Sequence, residues 1–96
     1  MDQTCGGYTE TKNATKEIQT ICDQVKPQVE QKTGEKYEVF TALQDRSQLV
    51  NGTNYLIKVH VGGSSYLLLK VYQSFSGELG EPSVKKDHKD DPIVPF

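Results

Sequence analysis

The hydrophobic period of this chain changes at Gly34, and that change constrains the fold more than any other feature. Before it, Ile18, Ile21, Cys22, Val25 and Val29 recur at helical spacing. At 100° per residue they fall within a stripe of roughly 100°, one buried face of a helix. Asn13 is the expected N-cap and Thr33-Gly34 the expected stop. Pro27 removes a backbone donor inside this pattern, but Val29 continues the stripe, so a bend is expected there rather than a break. After Gly34 the period becomes two. The run "YEVFTAL" (37–43) is rich in β-formers. "TNYLIKVHV" (53–61) alternates, with Tyr55, Ile57, Val59 and Val61 on one face and Leu56, Lys58 and His60 on the other. "SYLLLKVYQSF" (65–75) sets Leu67, Leu69 and Val71 against Tyr66, Leu68, Lys70 and Tyr72, and Gly62-Gly63-Ser64 turns between these two runs. One helix followed by an antiparallel meander predicts an α+β fold, the helix packed across one face of a sheet of four to five strands.

With 96 residues, 34% of them hydrophobic and no tryptophan, the chain has material for one modest core, hence a single domain over 1–96. Residues 1–12 are polar and without period, so they read as a flexible arm, with the helix and sheet in 13–96. The 11 basic and 13 acidic residues are mixed along the sequence, which leaves no basic stripe for nucleic acid. The start has no apolar run, so no secretory leader is expected, and no stretch has the length of a membrane span. Cys5 and Cys22 do not suggest a disulfide framework, which predicts a reducing, cytoplasmic setting.

A convergent catalytic set is not visible. His60 lies mid-strand on the face expected to meet solvent, and "DHKDD" (87–91) reads as a mobile, solvated charge run rather than a metal site. Cys22 sits on the apolar stripe as a small hydrophobe, and no glycine-rich phosphate loop follows a strand. No cofactor or metal is expected. Cys5, in the arm, has no basic neighbour to make a thiolate, but its exposure allows an oxidative dimer of an otherwise monomeric chain.

The remaining oddity is "SQLVNGTNY" (47–55). Asn51-Gly52 is a strong signal for a two-residue hairpin turn, yet Leu49 and Val50 lead into it. Either one of them ends a strand against the core, or both are a binding surface placed at a hairpin tip.

Taken together, a glycine in the amino-terminal arm, a helix, Gln-x-Val-x-Gly at a first hairpin and a second apolar loop resemble the cystatin superfamily, in particular its stefin branch. "QLVNGTNYLIKVHVG" (48–62) is similar to the stefin stretch around Gln-Val-Val-Ala-Gly-Thr-Asn-Tyr; "EIQTICDQVKPQVEQKTGEKYEVF" is similar to the stefin helix, proline included; and "LLLKVYQSF" is similar to its next strand. The resemblance covers roughly residues 5 to 75. It implies the cystatin fold and reversible, tight-binding inhibition of papain-like proteases of the cathepsin class, with arm and loops filling the active-site cleft. Carried over by position, the protease-binding residues are Cys5, Gly6 and Gly7 in the arm, Gln48, Leu49, Val50, Asn51 and Gly52 at the first loop, and Phe75 and Ser76 at the second. The departures are Leu49 for the usual Val, Asn51 for Ala, and Phe75-Ser76 for Leu-Pro, the last removing proline's rigidity. Thr4 and Cys5 before the glycine are less apolar than an S2-type pocket favours, and a shortened segment after the second loop places the last strand at about Val84 to His88. A second reading of the same fold is a non-inhibitory interaction or self-assembly module, using exchanged elements or paired edges.

Overall fold

In the computed structural model, which describes residues 7–96, the helix opens on Thr15 rather than Asn13. The Thr15 hydroxyl accepts from the amide of Ile18 at 3.4 Å. Asn13 is engaged elsewhere: with Lys12 it forms β1 (Lys12–Asn13), and the Ala14 amide continues the pairing to Leu43 O at 3.0 Å. The helix α1 (Lys16–Thr33) runs unbroken through Pro27 and ends where Gly34, at φ 76°, donates its amide to Glu30 O. That left-handed cap is open to glycine without steric penalty.

Four longer strands follow: β2 (Thr41–Leu49), β3 (Thr53–His60), β4 (Tyr66–Gln73) and β5 (Ser83–Asp87). The strands form one antiparallel sheet in chain order. The last strand thus begins and ends one residue earlier than expected. Residues 37–40, expected in a strand, instead connect helix to sheet. Tyr37 and Phe40 both enter the core with ring centroids 5.8 Å apart. A spacing of three does not suit a strand's alternating faces. The Tyr37 amide is taken by Glu30 Oε2 at 2.8 Å. At the entry to β2 the Gln19 amide bonds both ways, donating to Phe40 O at 2.9 Å and accepting from Ala42 N at 2.8 Å.

The predicted stripe of α1 is wholly buried and packs on Ile57, Val59, Leu67, Leu69 and Val71 of β3 and β4, with Tyr55 and Val61 at its margin. Cys22 has no exposed surface, and burial, aided by the negative charges of Asp23 and Asp45, pushes its thiol up to about 12.

The opposite face of the sheet differs from expectation. It is not a solvated surface. The segment after β5, expected to be a mobile charge run, folds back over it, and Ile93 buries itself with Leu56 and Leu68 while Tyr8 packs alongside. Lys58, 1% exposed, spends its ammonium protons there: it donates to His88 O at 2.8 Å, to Lys89 O at 3.1 Å and to Asp91 O, with Asp87 Oδ2 at 3.5 Å. His60, on the same face, is half-buried and bonded to Gly63 O at 2.9 Å.

Asp45 is the costly residue of the helix-side face. It is 0% exposed, its carboxylate oxygens have no hydrogen-bond partner among the described residues, and Lys12 Nζ lies 3.7 Å away. Burial raises its carboxyl above the usual aspartate range, opposed in part by Lys12. A raised folded-state value means that the fold binds this proton more tightly than the unfolded chain does. The contribution of Asp45 is therefore most favourable in acid and declines as pH rises from the ordinary aspartate range through the raised value. Asp45→Asn should flatten that decline, so urea midpoints at about pH 4 and about pH 7 should differ less than in the parent. An unchanged difference would place the pH dependence elsewhere.

Candidate functional site

One row of the sheet builds the site. Leu49 pairs with Thr53, and Thr53 with Gln73, so the β2–β3 and β4–β5 connections leave the sheet side by side at one end. Adjacent strands lie about 4.8 Å apart, which keeps the two tips within reach of a single partner surface.

The first tip is a three-residue loop of Val50, Asn51 and Gly52, not the two-residue turn expected, because Leu49 and Thr53 close the ladder. Asn51 adopts φ 56° and Gly52 φ 129°, and the Val50 amide donates to Gly52 O at 2.9 Å. Gln48 and Leu49 therefore belong to the end of β2, where Asn54 Nδ2 donates to Gln48 Oε1 at 2.9 Å. Leu49 is 65% exposed, and Val50 is half-buried. Neither belongs to the core, which excludes the reading in which one of them ends a strand against it.

Tyr72 props this loop from β4, donating its hydroxyl to Asn51 O at 2.5 Å. Gly52 is buried beneath it. A Cβ there would lie 2.3 Å from the Tyr72 hydroxyl oxygen and 2.8 Å from Gln73 O, so a side chain is excluded by space as well as by φ. Gly52→Ala should consequently displace the tip and leave the sheet in place. Whatever binding the tip mediates should weaken about tenfold or more, with the far-ultraviolet circular dichroism spectrum retained. Unchanged binding would show the tip's shape to be immaterial.

At the second tip, Phe75 and Ser76 are the central residues of a turn closed by the Gly77 amide on Ser74 O at 2.9 Å. The Ser74 amide donates to Glu78 O at 2.9 Å, the Glu78 amide to Ser74 Oγ at 3.1 Å, and the Ser74 and Ser76 hydroxyls share a bond of 2.9 Å. These bonds brace a loop that has no proline. Phe75 is 74% exposed, the highest value among the exposed large hydrophobic residues described.

The amino-terminal segment reaches the same end. Thr9 donates its amide to Ser47 O at 2.8 Å and accepts the Ser47 amide on its hydroxyl at 3.1 Å. From there the antiparallel direction sends the segment, with exposed Gly7 two residues on, toward the Leu49 end of β2. The polar arm predicted for 1–12 is thus tied to β2 at Thr9 and again, as a short strand, at Lys12–Asn13. Its lack of apolar period hid these ties, which are made by the backbone and one threonine hydroxyl. Cys5 and Gly6 lie outside the described residues.

Of the residues the sequence singled out, Gln48–Gly52, Phe75 and Ser76 lie at this end, Gly7 is exposed on the arm two residues before Thr9, and Cys5 and Gly6 are not described. The sequence missed Tyr72, whose hydroxyl orders the first tip although nothing in a strand pattern distinguishes it from a surface tyrosine. Among the described residues there is no group of three or more His, Cys, Asp or Glu able to hold a metal ion, and no helix is long and apolar enough to cross a membrane. What the arrangement offers chemically is contact: two apolar tips on braced backbone, flanked by an edge segment.

A family model described as the cystatin domain matches residues 6–91. Among curated proteins, the chain is 49% identical over 88 residues to leukocyte cysteine proteinase inhibitor 1 of Sus scrofa, covering 92% of this chain and 75% of that protein. It is 49% identical over 96 residues to cystatin-A1 of Sus scrofa, covering 95% and 92%. With cystatin-A of Homo sapiens it shares 52% over 73 residues, covering 76% and 74%.

Proposed function

The chain belongs to the cystatin family, and on that premise we propose that it is a reversible, tight-binding inhibitor of papain-like cysteine proteases of the cathepsin class. It is not an enzyme, and it acts in the cytoplasm as a monomer. The observation that carries this reading is the pair Leu49 and Phe75, 65% and 74% exposed, on adjacent tips of one sheet end.

Burying such side chains in an enzyme cleft is worth about 1.5–3 kcal/mol each. Association opposes this with several kcal/mol or more, roughly 4–15, of lost translational and rotational freedom. Braced tips matter because little further ordering is then required on binding. Leu49, Val50 and Phe75 supply the apolar contact, Gly52 and Asn51 the turn, and Ser76 and Gln48 the flanking polar edges. Cys5, Gly6 and Gly7 approach from the arm, where glycine permits close passage of backbone. A tip folded back on itself does not offer the extended peptide a protease cleaves, so the inhibitor obstructs the cleft without being consumed. Titrated into active papain, the chain should reduce activity linearly to an equivalence point of one chain per enzyme, and should leave trypsin untouched. Papain activity indifferent to the chain would overturn the reading.

The same reading assigns an oxidative dimer to Cys5. Cys22, fully buried with its thiol pushed up to about 12, is closed to exchange. Non-reducing gel filtration of oxidised parent and Cys5→Ser chains should show a dimer for the parent alone.

A further inference from the structure

The two ends of the described chain meet on the outer face of the sheet, and one side chain grips both. Arg46 donates from Nε to Thr9 O at 2.8 Å and from an Nη to Ile93 O at 2.6 Å. Its guanidinium carbon also lies 5.8 Å from the centroid of the Tyr8 ring, which itself packs on Leu56, Leu68 and Ile93. Ile93 is 2% exposed, so the floor under Tyr8 is made in part by the carboxy-terminal segment. That segment is anchored in turn by the three carbonyl bonds of Lys58, by Lys70 Nζ on Phe96 O at 2.8 Å, and by the Lys85 ammonium 5.4 Å from the Phe96 ring centroid.

We propose that Ile93 and Arg46 are positioning residues for inhibition: the carboxy-terminal segment is a brace that fixes Tyr8 and Thr9, and through them holds the arm against the loop end of β2. This rests on the inhibitor reading above. The Thr9–Ser47 bonds alone tie one residue to the edge of β2. The Arg46 fork adds a second tie in a fixed plane, and Tyr8 adds a ring contact to the same guanidinium. A segment held in this way loses less freedom when a protease closes over it, which appears as slower dissociation. Lysine at position 46 would not reproduce the fork, because a single ammonium lacks its planar pair of donors. Valine at position 93 would keep most of the apolar floor.

A double-mutant cycle tests the brace. Ile93→Ala in the full chain should speed dissociation from papain about tenfold, Ile93→Val by much less, and Arg46→Met about as much as Ile93→Ala. In a chain lacking residues 1–8 the same Ile93→Ala and Arg46→Met substitutions should have no further effect, because the segment they position is gone. Equal effects in both backgrounds would overturn the proposal, since they would mean that the carboxy-terminal segment touches the protease itself or merely supports the sheet. Hydrogen exchange of the Thr9 amide gives a readout independent of any protease: it should accelerate in Ile93→Ala and Arg46→Met, while the amides of β3 keep their protection. Unchanged Thr9 exchange would overturn the brace even if inhibition fell. Should the parent chain fail to inhibit papain at all, the proposed function would fall, and the exchange experiment would still decide the brace.

Discussion

Leu49→Asp and Val50→Asp combined will weaken inhibition of papain by at least about a hundredfold, with the loss in the dissociation rate, because a carboxylate driven into a dry cleft cannot be left without a partner cheaply. The fold will not change. Leu49 is 65% exposed and Val50 lies at the loop tip, so neither contributes to the helix-side core. Circular dichroism and the urea midpoint of the double variant should match the parent. Loss of structure would mean that these side chains support the sheet, and retained inhibition would mean that the first tip does not enter the cleft.

The largest effect on stability belongs to a residue far from the tips. Lys58→Met should destabilise the chain by about 3–5 kcal/mol, the usual consequence of removing one partner from a buried ion pair. Methionine has the length to fill the space, but it leaves Asp87 without its cation and three carbonyls without their donor. For a domain of this size the melting temperature should fall by more than about 10 °C. Below that temperature, tip-mediated inhibition should persist, though with faster dissociation, because the carboxy-terminal brace is loosened. A melting temperature within a few degrees of the parent, measured by calorimetry, would show the Lys58 cluster to be dispensable.

These two variants also mark where the sequence was informative. The helix stripe was legible because five apolar residues share one period, and its burial against β3 and β4 follows from the alternation of Ile57, Val59, Leu67, Leu69 and Val71. The first tip was legible because Asn51-Gly52 demands a turn and Leu49 and Val50 are out of place beside it, whereas Phe75 and Ser76 were found through the family resemblance. Lys58 was not legible. A lysine in an alternating strand reads as solvent-facing, and its actual partners are backbone carbonyls of residues 88, 89 and 91, which carry no residue-type signature. The burial of Ile93 escaped notice for a related reason, since one apolar residue amid charges and prolines shows no period. Residues 37–40 misled because aromatic and β-branched composition does not distinguish a strand from a connection that drops Tyr37 and Phe40 into the core. Thr15 displaced Asn13 as the cap because Asn13 had already been taken by pairing with Gln44. For Lys58 and Asn13 the deciding partner was distant in sequence and bonded through its main chain.

Obstruction without cleavage is the central claim, and the mass of the recovered inhibitor tests it most directly. Equimolar chain and active papain, held together for hours and then diluted far below the dissociation constant, should yield restored protease activity and a chain of unchanged mass. Activity that returns only as fragments cut within Gln48–Gly52 accumulate would make the protein a slow substrate and contradict obstruction of the cleft by intact tips.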